Sequence, residues 1–181
     1  MNTQDPLNPI LDRPLANSYW VIPGRLLAGE HPAGVDEADA CVRLERLHQA
    51  GIHSYVDLTE PGEQPEYRHL LPERTDYLRS AIADCGVPYN VSQTQALLSA
   101  IRDALARERG IYVHCRAGIG RTGLIIGCFL AEEERTGKAA IKRLNRLWRQ
   151  SARSDVWPTV PQTAEQADYI RHWPKLRKLG T

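Results

Sequence analysis

The chain has 181 residues, of which 42% are hydrophobic and 25% charged, and a formal net charge of +1. These values suit one soluble globular domain with a sizeable core and exclude disordered or collagen-like classes. No run of eighteen apolar residues occurs, so no integral membrane segment is expected.

The first fourteen residues are polar and contain Pro6, Pro9 and Pro14, without the basic and apolar parts of a signal peptide. Four cysteines, Cys41, Cys85, Cys115 and Cys128, lack disulfide-framework or CxxC spacing. That usage favours a reducing, cytoplasmic setting and argues against a zinc site. Charge is uneven: residues 135–181 carry 11 Lys/Arg against 3 Asp/Glu, which is +8. Solvated helix surface accounts for this excess, and no aromatics are interleaved with it for stacking, so nucleic acid is not an expected partner.

In chain order, residues 1–17 read as an irregular arm and residues 18–181 as the domain. Ser18 to Ile22 is an expected strand, Pro23-Gly24 a turn, and Arg25 to Ala28 the returning strand. Asp36 caps a helix over Ala38 to Ala50, in which Cys41, Leu44 and Leu47 repeat at helical spacing and Gly51 ends the pattern. Ile52 to Leu58 is the next strand, and Thr59 to Pro65 a loop of the kind that carries ligand contacts in α/β folds. Tyr67 to Tyr77 reads as helix or irregular chain. Leu78 to Ala83 is strand-like and leads into the loop Asp84 to Pro88. Ser92 is the expected N-cap of a helix running to Arg109. Ile111 to His114 is a strand, and an apolar helix runs from Thr122 to about Arg135. Lys138 to Gln150 is a basic amphipathic helix, Ser151 to Pro161 a loop, and a last helix opens at Gln162 or Thr163 and ends near Pro174. Cys41 and Cys128 read as helix-core residues, and Trp148, Trp157 and Trp173 as core or interface anchors. Strands alternate with helices, so the expected fold is α/β: one domain with a mostly parallel central sheet of four to five strands flanked by helices.

The chemistry concentrates at His114-Cys115-Arg116-Ala117-Gly118-Ile119-Gly120-Arg121-Thr122-Gly123. A short strand meets a glycine-rich turn and then a helix start. Such a turn aims successive backbone N–H groups of residues 116–121 into one concavity, toward which the positive end of the helix dipole also points. That is an anion cradle. Cys115 at its mouth is favoured as thiolate, below the ~8.5 of a free cysteine. Arg121, six positions on, offers a planar fork for two oxygens, and Thr122 a hydroxyl near the sulfur. The set suits phosphoryl transfer through a cysteinyl-phosphate, with Arg116, Ala117, Gly118, Ile119, Gly120 and Arg121 holding the phosphate. His114 can hydrogen-bond backbone near Cys115 and hold the loop. No cofactor and no metal is required.

A basic leaving oxygen needs a proton donor on a facing loop. Asp84 follows a strand, lies in a Gly/Pro-bearing loop and precedes the helix that leads to the cysteine strand. Asp57, at a strand end, and Asp103, inside a helix, are the weaker candidates.

The Cys115–Gly123 segment resembles the signature loop of the protein tyrosine phosphatase superfamily, in its small dual-specificity type. Ala81-Ile82-Ala83-Asp84-Cys85-Gly86-Val87-Pro88 is similar to the acid loop of the cyclin-dependent-kinase-associated phosphatase group and its bacterial relatives, with Ala81 in place of that pattern's first proline. Thr163-x-x-Gln166-x-x-Tyr169 matches the same group in kind. The resemblance implies hydrolysis of phosphotyrosine, and of phosphoserine or phosphothreonine, in a phosphorylated protein. It implies Asp84 as the acid and Gln166 as a water-orienting glutamine, although sequence context alone reads Gln166 as a helix-surface amide. In the family a basic residue at the position of Arg116 accompanies acidic phosphopeptide or phosphoinositide substrates, so a phosphorylated small molecule is the alternative substrate. A non-catalytic phosphoprotein-binding module is the other alternative.

Overall fold

The alternation of apolar side chains along the strands requires a sheet covered on both faces. Leu26, Ala28, Val56, Ile111 and Val113 are buried in one hydrophobic core. Their alternating neighbours Leu27, Tyr55 and Tyr112 are buried in a second. A computed structural model, which describes residues 12–134 and 136–179, realises this pattern. The elements are β1 (Ser18–Ile22), β2 (Leu26–Gly29), α1 (Glu37–Gln49), β3 (Ile52–Asp57), β4 (Asp76–Arg79), α2 (Val91–Ala106), β5 (Gly110–His114), α3 (Gly120–Glu133), α4 (Gly137–Trp148) and α5 (Ala164–Leu176). Short 3-10 turns lie at Arg68–Leu70 and Ala152–Asp155.

The sheet order is β1-β2-β5-β3-β4. β2, β5, β3 and β4 run parallel, and β1 pairs antiparallel with β2. This is the expected α/β domain with a mostly parallel sheet. α1 covers one face through Leu44 and Leu47; the other face carries α2 to α5. Central β5 is buried along its whole length. It is followed directly by the cysteine loop and by α3, whose residues from Gly120 to Ala131 are all buried. Each large apolar side chain so covered contributes roughly 1.5–3 kcal/mol, so the loop is clamped between two well-packed elements. No helix among the described residues is long and apolar enough to cross a membrane.

Several local expectations are corrected. β4 spans Asp76–Arg79 rather than residues 78–83. Beyond it the chain stays extended, with Ser80 N bonding Asp57 O and Ile82 N bonding Leu58 O, but it leaves the ladder to reach the Asp84 loop. Asn90, not Ser92, caps α2, its side chain accepting from Gln93 N at 2.8 Å. Gln93 completes the cap by accepting from Tyr89 N. Pro174 lies inside α5 and does not end it, because buried Trp173 and Ile170 hold that turn against the core. Cys41 is exposed, since it sits one residue off the Ala40, Leu44, Leu47 stripe of α1. Trp157 is 39% exposed, whereas Trp148 and Trp173 are buried. Of the expected arm, residues 1–11 lie outside the described residues. Leu15 is buried in the α1-side core, and Ala16 O accepts from Ala152 N.

Candidate active site

The loop between β5 and α3 brings the cysteine motif to the carboxyl edge of the sheet. Its backbone needs a left-handed turn at Gly118, where φ is +76°. A Cβ there would stand 2.5 Å from the Gly29 carbonyl carbon, so only glycine lets the loop lie down on the end of β2. Two further contacts fix the loop from outside. His31 N–H donates to Arg116 O at 3.1 Å, and Arg153 Nη1 donates to Ala117 O at 2.6 Å. Cys115 is buried, 3% exposed, at the start of this loop. Ala117, Gly118, Ile119 and Gly120 form the turn and Arg116 projects outward, exposed.

Arg121 is 1% exposed and makes the densest set of polar contacts at the site. Nη1 donates to Glu63 Oε2 at 2.7 Å and to Ile82 O at 3.1 Å. Nη2 donates to Glu63 Oε1 at 2.5 Å and lies 3.1 Å from Asp84 Oδ1. Glu63 therefore grips the guanidinium end-on. Nε has no protein partner among the described residues, so the Nε–Nη2 edge offers donors to two oxygens of a tetrahedral anion. Burial alone would lower the Arg121 pKa, but the Glu63 hydrogen bonds and the carboxylates of Glu63 and Asp84 help to raise it. Reciprocally, the Arg121 hydrogen bond holds Glu63 below the usual carboxylate range.

Asp84 is 55% exposed at its side chain, on the loop that faces the cysteine turn, and its 3.1 Å approach to Arg121 brings that loop over the cradle. The N-terminus of α5 pins the loop there. Gln166 Nε2 donates to Gly86 O at 2.9 Å, and Gln166 Oε1 accepts from Thr163 N at 3.2 Å, closing a capping box. Gln166 is fully buried, which corrects the reading of a helix-surface amide. Its amide lies 3.0–3.1 Å from where a Gly120 Cβ would be, so it touches the cysteine loop and the Asp84 loop together. Thr122 is also buried. Among the described residues its hydroxyl bonds Gly29 O, at 3.5 Å, rather than the sulfur it was expected to serve.

His114 lies fully buried beneath the loop. Its Nε2 is 2.5 Å from the Tyr67 hydroxyl, and its ring stacks on Tyr112. Burial drives its pKa down to about 3, with Asp57 opposing, so the ring is neutral at neutral pH. Asp57 is 0% exposed, which removes it as a substrate-facing acid. One ligand atom each of His31, Asp57 and His114 lies within 4.8 Å of the other two. The Asp57 oxygens already accept from Thr59 N, Thr59 Oγ1, Tyr77 Oη and Arg79. Arg79 supplies the charge that balances Asp57, so the carboxylate is satisfied, whereas His31 Nε2 and His114 Nδ1 are buried without a hydrogen-bond partner among the described residues. Asp103 stands exposed on α2 and makes no contact with Arg121 or Cys115.

Glu63 and Tyr67 were not singled out as site residues. Glu63 had one usable signal: it lies in a Pro/Gly-bearing loop at the carboxyl end of a strand. Tyr67 had none, because a buried hydroxyl partner 47 residues from His114 leaves no local pattern.

Residues 33–135 match the family model described as a polymorphic toxin system DSP-PTPase phosphatase. A viral protein bearing a tyrosine phosphatase name, 067L of invertebrate iridescent virus 3, is 39% identical over 94 residues; the match covers 49% of this chain and 38% of that protein. The chain thus spans well under half the length of that relative. Among solved structures, Tk-PTP in its active form has a TM-score of 0.70 at 21% identity, covering 90% of this chain and 97% of the other. A Cys-to-Ser form of TpbA from P. aeruginosa, solved with phosphotyrosine, has a TM-score of 0.66 at 17% identity over 98% of both chains.

Proposed function

Since the chain belongs to the DSP-PTPase phosphatase family of polymorphic toxin systems, we propose that it is a phosphatase that hydrolyses phosphate monoesters through a cysteinyl-phosphate, phosphotyrosine in proteins first among them. The observation that carries this reading is the Arg121 fork. It is buried at the start of α3, gripped end-on by Glu63, 3.1 Å from the Asp84 carboxylate, and without a protein partner on Nε among the described residues.

In the proposed reaction Cys115 attacks phosphorus as thiolate, in line with the leaving oxygen. The backbone N–H groups of residues 116–121 and the side-on edge of Arg121 take the three non-bridging oxygens, and their hold strengthens as charge spreads over those oxygens. Substrate displaces the Asp84 carboxylate from Arg121; Asp84 takes up a proton from solvent and delivers it to the leaving oxygen. The cysteinyl-phosphate is then hydrolysed by water, with Asp84 as base. Gln166 holds the acid loop through Gly86 O and stands beside Gly120, which suits the water-orienting role. Thr122 acts through Gly29, at the bed of the loop, before it acts on the sulfur. His114, neutral and tied to Tyr67, keeps the end of β5 fixed under Cys115.

The tyrosine phosphatase name of the iridescent virus relative, 39% identical over 94 residues, supports the choice of phosphotyrosine. We place the protein in the cytoplasm on its four free cysteines. The test is a panel of phosphotyrosyl and phosphoseryl peptides, inositol phospholipids and a simple aryl phosphate. Phosphotyrosyl peptides should turn over fastest. A preference for inositol phospholipids would move the assignment to the small-molecule alternative. Tight binding without turnover would leave only a binding module.

A further inference from the structure

The loop that grips phosphate is itself held by residues far from the motif. Arg153, on the 3-10 turn Ala152–Asp155, donates Nη1 to Ala117 O at 2.6 Å and Nη2 to Glu30 Oε2 at 3.1 Å. Glu30 also accepts from Arg43 Nη2 at 2.6 Å and from Asn17 Nδ2 at 2.8 Å. Arg43 is anchored in turn by donating Nε to Pro32 O. The 3-10 turn is fixed by Ser151, whose hydroxyl accepts from Arg153 N, and by Ala152 N on Ala16 O. One ion cluster therefore joins the end of the arm, the loop after β2, α1 and the turn between α4 and α5 to a single carbonyl of the cysteine loop.

The carbonyl matters because a trans peptide is planar, so C=O of one residue and N–H of the next point in opposite directions. Holding Ala117 O outward on Arg153 turns Gly118 N–H to the other side, the side around which the loop curls. His31 N–H does the same for Arg116 O and hence for Ala117 N–H. Gly118, at φ +76°, is where the chain reverses and where a free loop would most readily turn its peptide over. The cluster is only partly exposed, with side chains 13% (Glu30), 19% (Arg43) and 31% (Arg153) accessible, so its ion pairs are less screened than surface ones. It borders a surface cavity of about 380 Å³ and not the apolar core, so trimming Arg153 removes no core contact.

We propose that Arg153, held by the Glu30–Arg43 pair, is a positioning residue that aims the Gly118 N–H at the phosphate and so presets the cradle. The inference rests on the phosphatase reading. It predicts that Arg153→Gln weakens inhibition by vanadate, which takes the five-coordinate shape of a transferring phosphoryl group, by about tenfold to a hundredfold. kcat/KM toward an aryl phosphate should fall by a similar factor, and inorganic phosphate, which resembles the ground state, should lose less. Arg153→Lys should recover part of the loss, since one ammonium can reach Ala117 O or Glu30 but not grip both. Arg149→Gln, on the exposed end of α4, should change nothing. The urea midpoint shows whether each variant is folded. If Arg153→Gln fails to fold, Glu30→Gln decides: it loosens the cluster without changing its shape and should weaken vanadate in the same direction by less. A folded Arg153→Gln, or in its absence a Glu30→Gln, with native vanadate inhibition and native kcat/KM overturns the proposal. If the unaltered chain neither binds vanadate nor cleaves the aryl phosphate, the phosphatase reading itself has failed.

Discussion

The neutral histidine under Cys115 makes the stability of the whole domain depend on pH in a calculable way. His114 sits fully buried, its pKa driven down to about 3 by burial against an ordinary value of 6.5. Between those values the unfolded chain binds a proton that the folded chain refuses. The stability this gives is complete above the unfolded value and is lost progressively as pH falls toward the folded one. For a single group with these two values, the loss from pH 7.5 to pH 5 is about 2 kcal/mol. Asp57, His31, Tyr67 and Arg79 face the same cluster and titrate or carry charge, so the total slope is not owed to His114 alone. The clean quantity is a difference. Urea unfolding of the native chain and of His114→Gln should be followed at both pH values; glutamine can still reach the Tyr67 hydroxyl. The variant will be less stable at pH 7.5, but it should lose about 2 kcal/mol less than the native chain on going to pH 5. An equal loss in both proteins would refute the claim that this ring is buried and neutral.

Other outcomes follow from the same geometry. Asp84→Asn should lower kcat by about 10²–10⁴ for substrates with basic leaving groups and much less for acidic ones; an equal loss across a leaving-group series would take Asp84 out of the acid role. Arg121→Lys should abolish most activity, because an ammonium cannot be gripped end-on by Glu63 while binding two phosphate oxygens side-on, and vanadate inhibition should disappear with it. Gly118→Ala should destabilise the fold by about 1–3 kcal/mol, from the left-handed backbone and the approach to Gly29, measurable as a lower urea midpoint. The matching change at Gly24, also left-handed but with open space where a Cβ would go, should cost less.

Much of this architecture is written in local pattern. The alternation of apolar runs with helical stripes specifies a doubly covered parallel sheet, and Asp36, Gly51 and Thr163 mark element ends as their chemistry requires. The cysteine loop is legible for the same reason: Cys115, the glycines and Arg121 lie within nine residues, and the proposed chemistry depends on their spacing. What sequence reasoning misplaced was decided by distant packing. Cys41 and Gln166 were assigned to the wrong environment because one residue of helical rotation, or one contact 80 residues away, separates surface from core. The β4 boundary shifted because the chain must leave the ladder early to carry Asp84 over the loop. Glu63, Tyr67 and Arg153 act on the site through partners 58, 47 and 36 residues away, and no period or motif announces such pairs.

The most direct test of the account is to trap the covalent intermediate. The native chain, quenched in acid within one turnover of an aryl phosphate, should carry a single phosphoryl group on Cys115 by intact-mass and peptide analysis. Cys115→Ser should show neither the adduct nor turnover. Undiminished hydrolysis by Cys115→Ser, or a phosphoryl group found on another residue of the native chain, would contradict the account.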